Sequence, residues 1–159
     1  MRRTITYILL CATALFAACN TNNQKGDNTS DTATIPVNEQ TRIVSLNGSV
    51  TEALCALGFE PYIKAVDVTS TYPASMLQLP KVGHNRNLSA ELILTHKPTI
   101  VIGTKEFVKP ELIEQLKGAG VPLITYNLEH SIESGKELIR SLADTFGVPE
   151  KATAVIEAM

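Results

Sequence analysis

The side chains best suited to hold a ligand are few and widely spaced. Three histidines, His84, His96 and His130, stand far apart, and the run L-P-K-V-G-H-N-R (79 to 86) sets His84 three residues after Lys81 and two before Arg86. An imidazole can ligate a metal, move a proton or hydrogen-bond in a loop, and a lone one does not choose among these by itself. No catalytic pattern surrounds it. The chain has no G-x-S-x-G, no H-E-x-x-H and no C-x-x-C, so neither a nucleophile elbow nor a zinc helix is on offer. The turn Gly48-Ser49 offers a helix N-terminus to an anion, but it fits neither glycine-rich phosphate pattern. A small enzyme acting on a phosphorylated ligand there is therefore weakly supported.

The elements that must carry these residues read as an alternation. Short apolar runs at 42–47, 62–67, 99–103 and 122–127 predict strands. Between them lie helical patterns. In G-S-V-T-E-A-L-C-A-L-G-F the apolar positions Val50, Ala53, Leu54 and Leu57 recur at helical spacing, with Ser49 as N-cap, Glu52 three residues on and Gly58 closing the end. Further helices are expected from Ser89 to His96, from Pro110 through K-P-E-L-I-E-Q-L-K-G-A-G, and through S-I-E-S-G-K-E-L-I-R-S-L-A-D-T-F-G. Continuous apolar strands separated by amphipathic helices imply an α/β fold, a parallel sheet with helices on both faces. Ligands of such sheets gather beyond the carboxyl ends of the strands. That selects residues 47–49, 67–72, 104–107 and 127–130, which places Tyr72 and His130 on the candidate face. Cys55, inside a helical pattern, reads as a small buried hydrophobe.

The N-terminus announces export. Arg2 and Arg3, an apolar run from Ile8 to Phe16, then Ala17-Ala18-Cys19 form a secretory signal over 1–18 that resembles a bacterial lipobox. Lipidation is expected at Cys19, with Phe16 where leucine is more usual. Residues 19–40, mostly Asn, Thr, Asp and Gly, read as a disordered tether to the membrane, and the folded lobe as 42–147. With Cys11 in the signal and Cys19 lipidated, Cys55 has no partner for an internal disulfide. The formal charge of -2 and scattered basic residues argue against nucleic acid.

The order of the pieces is similar to the N-terminal lobe of the helical-backbone substrate-binding proteins of ABC importers, which carry haem, ferric siderophores or cobalamin. The runs T-S-T-Y-P (69–73), L-P-x-V-G (79–83) and R-x-L-S-A-E (86–91) most resemble the hemin-binding branch. The resemblance covers about residues 42 to 159. It implies a ligand-capturing lipoprotein, not an enzyme, facing the periplasm or cell exterior and delivering hemin to a membrane permease. In hemin-binding relatives the residue after that V-G is commonly an iron-ligating tyrosine, with a supporting arginine two residues later. Here His84 and Arg86 hold those positions. His84 is thereby expected to ligate haem iron, since neutral imidazole is a standard axial ligand that favours reduced iron more than phenolate does and loses affinity on protonation. Arg86 is expected either to pair with a haem propionate or to stand exposed without a partner. Tyr72 would edge the macrocycle or pack beneath its loop beside Pro73, and His130 would be a second ligand across the cleft. Glu91 matches the acidic residue that docks on the permease, and is also a first-turn glutamate that favours the positive helix end.

Ferric siderophore or cobalamin is the alternative ligand. A lobe that docks through Glu91 without binding ligand is a further alternative. In the resemblance, V-P-E-K-A-T-A-V-I-E-A-M (148–159) is the start of the interlobe helix of a chain whose second lobe is absent, the expectation being either a truncated product or a second lobe encoded separately.

Overall fold

A computed structural model describes residues 34–84 and 86–159. The signal region, Cys19 and most of the tether lie outside the described residues. Four parallel strands form the sheet in the order β2-β1-β5-β6: β1 (Ile43–Ser45), β2 (Ile63–Val66), β5 (Ile100–Thr104) and β6 (Leu123–Tyr126). Ile43, Val44 and Ser45 pair with Ile100, Val101 and Ile102 on one side, and β2 lies on the other. The chain therefore reverses direction across the sheet between β1 and β5, the kind of switch point beside which open sheets bind ligands. Each predicted strand is present; β1, β2 and β6 are shorter than their apolar runs, because ladder pairing ends where the chain turns toward a helix, while β5 keeps five residues, displaced by one.

Side-chain alternation divides the core in two. Ile43, Ile100 and Ile102 point to one face, where α1 (Gly48–Ala56) and α4 (Ile132–Thr145) cover them with Val50, Leu54, Leu138 and Leu142. Val44, Leu46 and Val101 point to the other, beneath α2 (Ala90–Thr95) and α3 (Pro110–Gly118), which supply Ile93, Leu112 and Leu116. Both faces of the parallel sheet are thus covered, as the unbroken apolar strands require.

Three local features differ from the sequence expectations. The N-cap of α1 is Asn47, not Ser49: its Oδ1 accepts from the Ser49 amide at 2.9 Å and the Val50 amide at 3.4 Å, so the helix begins one residue before Ser49. Leu57 is the C-cap, and Gly58 follows at φ +86°, where a residue without Cβ reverses the chain. The segment between β2 and α2, for which neither strand nor helix was expected, holds a 3-10 turn (Ala74–Gln78) and a small hairpin of β3 (Gly83–His84) and β4 (Asn87–Leu88).

Residues 34–40, assigned by composition to the tether, lie against the domain. Ile35 donates its amide to the Thr145 carbonyl at 2.8 Å, and Ile35 and Val37 pack on the core beside α4. Two alternating β-branched residues were enough to dock a segment that is otherwise polar. After α4 the chain turns at Gly147, φ +69°, into α5 (Pro149–Glu157), whose Ala152 is buried against α4.

The start of α5 is fastened to the far end of α1. Lys151 Nζ donates to the Leu57 carbonyl at 3.2 Å and stands 5.5 Å from the centre of the Phe59 ring, which itself meets Phe146 at 4.5 Å. Replacing Lys151 by alanine is expected to lower stability in urea by about 1 kcal/mol, the sum of one partly exposed hydrogen bond and a cation–π contact. Lys151→Met, which keeps the stem but not the charge, should recover less than half of that loss.

Candidate functional site

The carboxyl ends of the strands carry four loops, and hydrogen bonds knit the first two together. At the start of α1 every early amide already has a protein acceptor. Gly48 donates to Thr69 Oγ1 at 3.2 Å, Ser49 and Val50 to Asn47 Oδ1, and Thr51 to the Asn47 carbonyl at 2.9 Å. The anion site considered at Gly48-Ser49 is therefore closed, because an incoming phosphate would have to displace Thr69 and Asn47. A Cβ on Gly48 would lie 2.9 Å from the Thr69 carbonyl oxygen, so the loop after β2 sits directly on the helix start.

That loop runs from Asp67 to Tyr72. Asp67 and Ser70 are fully buried, whereas Tyr72 is 67% exposed. The tyrosine is thus not packed beneath its loop beside Pro73; it stands up from it. Past the 3-10 turn the chain returns along the β2 edge: Val66 and Lys81 form a parallel bridge, and Val82 donates to the Val66 carbonyl at 2.9 Å. Lys81 Nζ donates to the carbonyls of Ser70 and Met76, each at 2.9 Å, which pins both ends of the Tyr72 loop to the returning segment.

The hairpin of β3 and β4 continues from there. Val68 donates to the Gly83 carbonyl at 3.0 Å. Gly83 has φ +110°, and a Cβ on it would meet the Asn87 carbonyl at 3.0 Å, so the glycine before His84 is a conformational requirement. His84 pairs with Asn87 across the hairpin and is exposed. Its Nδ1 accepts from the Arg86 amide at 3.2 Å. A neutral imidazole that accepts at Nδ1 carries its proton on Nε2. Metal ligation through Nε2 therefore requires the proton to move to Nδ1 and the Arg86 contact to open, at a cost of about 1 kcal/mol for an exposed bond of this kind. Arg86 is exposed, and its guanidinium makes no ion pair among the described residues.

The fourth loop, after β6, brings His130 to a hollow of about 450 Å³ between α1, α4 and α5. Tyr72, His130, Glu52 and Glu129 stand around it, and Leu138 and Val155 are among its apolar lining. Tyr72 and His130 are thus brought together, while His84 and Arg86 do not line this hollow. Among the described residues no group of three His, Cys, Asp or Glu side chains could hold a metal ion. Glu91 is exposed in the first turn of α2, where Ser89 Oγ caps the Leu92 amide at 3.3 Å.

Cys55 is half-buried, with its thiol 4.0 Å from the Met76 sulfur. Burial, reinforced by the charges of Glu60 and Glu52, pushes the thiol up to about 11 from 9.0. Only the thiolate attacks electrophiles. Iodoacetamide at pH 8 should therefore modify Cys55 far more slowly than a free thiol, with the rate rising toward a midpoint of about 11. The same shift has a stability consequence of definite sign. A thiol whose value is raised by folding favours the fold fully below pH 9, and that contribution disappears as pH climbs toward 11.

The sequence profile of the periplasmic binding protein family matches residues 43–159. A periplasmic heme-binding protein from Pseudomonas aeruginosa superposes with a TM-score of 0.69 and 39% sequence identity, covering 74% of this chain and 43% of its own. The uncharacterized ABC transporter substrate-binding lipoprotein YvrC of Bacillus subtilis (strain 168) is 30% identical over 123 residues, which is 76% of this chain and 39% of YvrC. The vitamin B12-binding protein of Yersinia pestis (strain Pestoides F) is 28% identical over 124 residues, 78% of this chain and 44% of that protein. The chain spans less than half the length of these curated relatives. All three are binding proteins, none an enzyme, in keeping with a sequence that holds no catalytic motif.

Proposed function

Because the chain belongs to the periplasmic binding protein family, we propose that it captures hemin outside the membrane for an ABC importer's permease. In this reading Cys19 carries the lipid anchor, Glu91 meets the permease, and residues 42–147 form the ligand-binding lobe with 148–159 opening the interlobe helix. His84 ligates the haem iron and Arg86 takes a propionate. Tyr72 and His130 line the hollow between α1, α4 and α5, where an apolar edge of the macrocycle can lie against Leu138 and Val155.

The observation that carries the reading is the His84 hairpin. Its imidazole projects from a turn whose glycine, edge pairing and lysine clamp are all built from the protein's own hydrogen bonds. Once its Nδ1 contact with the Arg86 amide opens and the proton moves to Nδ1, the neutral imidazole on this turn offers Nε2 as an axial ligand to iron that arrives already chelated by a porphyrin. A single protein ligand then suffices, whereas a bare ion needs several. The 39% identity with the heme-binding protein, against 28% with the vitamin B12-binding one, supports the same choice.

Cobalamin is the second reading, favoured by the vitamin B12-binding relative. Parallel titrations of the 159-residue chain with hemin and with cyanocobalamin, followed by visible absorption, separate the two. Saturable hemin binding with a nitrogen-ligated spectrum is expected, together with little response to cyanocobalamin. The reverse pattern would move the assignment to the corrin.

A further inference from the structure

We infer that Asp67 is the positioning residue of the ligand platform, holding Tyr72 and His84 in place without touching the ligand. The inference rests on the ligand site proposed above only for its consequence in hemin capture; the positioning itself is a property of the free protein. Asp67 is fully buried at the carboxyl end of β2, and neither ion pair among the described residues includes it. A carboxyl group taken out of water needs strong donors. Three are supplied locally: Ser70 Oγ donates to Oδ1 at 2.6 Å, and the Thr69 amide and hydroxyl donate to Oδ2 at 3.2 and 2.5 Å.

The contacts continue into the sheet and α1. Thr51 Oγ1 lies 2.7 Å from Ser70 Oγ and 2.8 Å from Ser45 Oγ, and Thr51 and Ser45 are themselves fully buried. The Thr51 hydroxyl is placed to donate to Ser45 Oγ and to the Asn47 carbonyl at 3.0 Å, with Ser70 Oγ within hydrogen-bond reach, so these hydroxyls form one connected buried cluster that ends on the carboxyl through Ser70. Thr69 Oγ1 also accepts from Gly48, joining the same carboxyl to the helix start. Asp67 thus connects three segments that are remote in sequence: β1, α1 and the loop after β2.

Both expected ligand-contacting residues depend on that loop. Tyr72 stands two residues beyond Ser70, whose carbonyl takes the Lys81 ammonium. His84 follows Gly83, whose carbonyl takes the amide of Val68, the residue after Asp67. Loss of the carboxyl releases Thr69 and Ser70 together, and the platform loses its fixed relation to α1. A buried polar cluster of this kind rigidifies what it holds only while every member is satisfied.

The test compares the parent with Asp67→Ala, Asp67→Asn and Thr51→Val in the full chain. The first readout needs no ligand: ring resonances of Tyr72 and His84 by NMR, with those of Tyr62, Tyr126 and His96 as internal controls. In Asp67→Ala the Tyr72 and His84 signals should shift or broaden while the controls stay. Asp67→Asn, which retains one acceptor oxygen, should fall between. Thr51→Val keeps the shape and removes one hydroxyl, so it should show a smaller change at the same rings even if Asp67→Ala does not fold. Movement of all rings, or of none, in the folded variants would overturn the inference. The second readout is hemin titration, where Asp67→Ala should weaken binding by about 10-fold, as loss of a group that orients a ligand commonly does. Unaltered affinity would remove Asp67 from any role in capture. A parent that binds no hemin would overturn the function proposed above, and the ring signals would still decide the positioning.

Discussion

In His84→Ala, the absorption spectrum of a nitrogen-ligated haem is expected to vanish, and hemin affinity to fall by about 100-fold, equivalent to about 2.8 kcal/mol. The loss is that of the axial bond, partly replaced by water on the iron. In the proposed binding mode the macrocycle's apolar contacts and a propionate pairing with Arg86 would be untouched by the substitution, so binding should weaken without being abolished. Folding should be almost unaffected, within about 0.5 kcal/mol, because His84 is exposed and gives up one surface hydrogen bond. Affinity and stability therefore separate cleanly at this residue.

His84→Tyr tests the same idea in the opposite direction. Phenolate is an anionic haem ligand and stabilises ferric iron relative to ferrous, so hemin binding should persist with a tyrosinate-type spectrum and a lower reduction potential. An unchanged spectrum and affinity in His84→Ala would remove the residue from the role. The hollow that joins Tyr72 and His130 would then hold the remaining ligand candidates, to be separated by Tyr72→Phe and His130→Ala.

The sheet was legible in the sequence because its signal is local. Runs such as Ile100–Thr104 are buried along their whole length, and only a strand covered on both faces reads that way. Boundaries were less legible. Asn47 and Ser49 are both good caps, and Ser49 with Glu52 matches the capping-box spacing. What decided for Asn47 is the Thr69 backbone against Gly48, a contact across 21 residues that no local pattern encodes. The site followed the same rule. The loops at the strand ends were readable from topology, but not that Tyr72 stands out from its loop, nor that Asp67 is sealed beneath it. Asp-x-Thr-Ser reads on paper as an ordinary polar turn. Its burial exists only once Ser45 and Thr51 arrive from β1 and α1. The docking of Ile35 and Val37 was hidden likewise, by the Asn- and Thr-rich residues on either side.

Gly48→Ala should destabilise the protein although it replaces glycine by the best helix former. Taken alone, alanine in a helix gains up to about 1 kcal/mol over glycine, partly by restricting the unfolded chain. At Gly48 that gain meets a collision: the new Cβ would lie 2.9 Å from the Thr69 carbonyl oxygen and 3.4 Å from its carbon, both backbone atoms that cannot rotate away. Forcing such a contact apart costs about 1–3 kcal/mol in well-packed regions. The net expectation is a loss of about 1–2 kcal/mol in urea unfolding, the clash outweighing the propensity. Gly118→Ala provides the control. It lies in α3 with nothing within 4 Å of the added carbon, so only the favourable term remains, and stability should rise by about 0.5 kcal/mol. The two substitutions are chemically identical and opposite in sign. Thr69 is also a donor to Asp67, so displacing it should disturb the Tyr72 loop, and Gly48→Ala should weaken hemin binding while Gly118→Ala leaves it unchanged. If Gly48→Ala proved as stable as the parent with full affinity, the loop after β2 would have to yield without loss, and the tight seating of that loop on α1 could not be what holds the site.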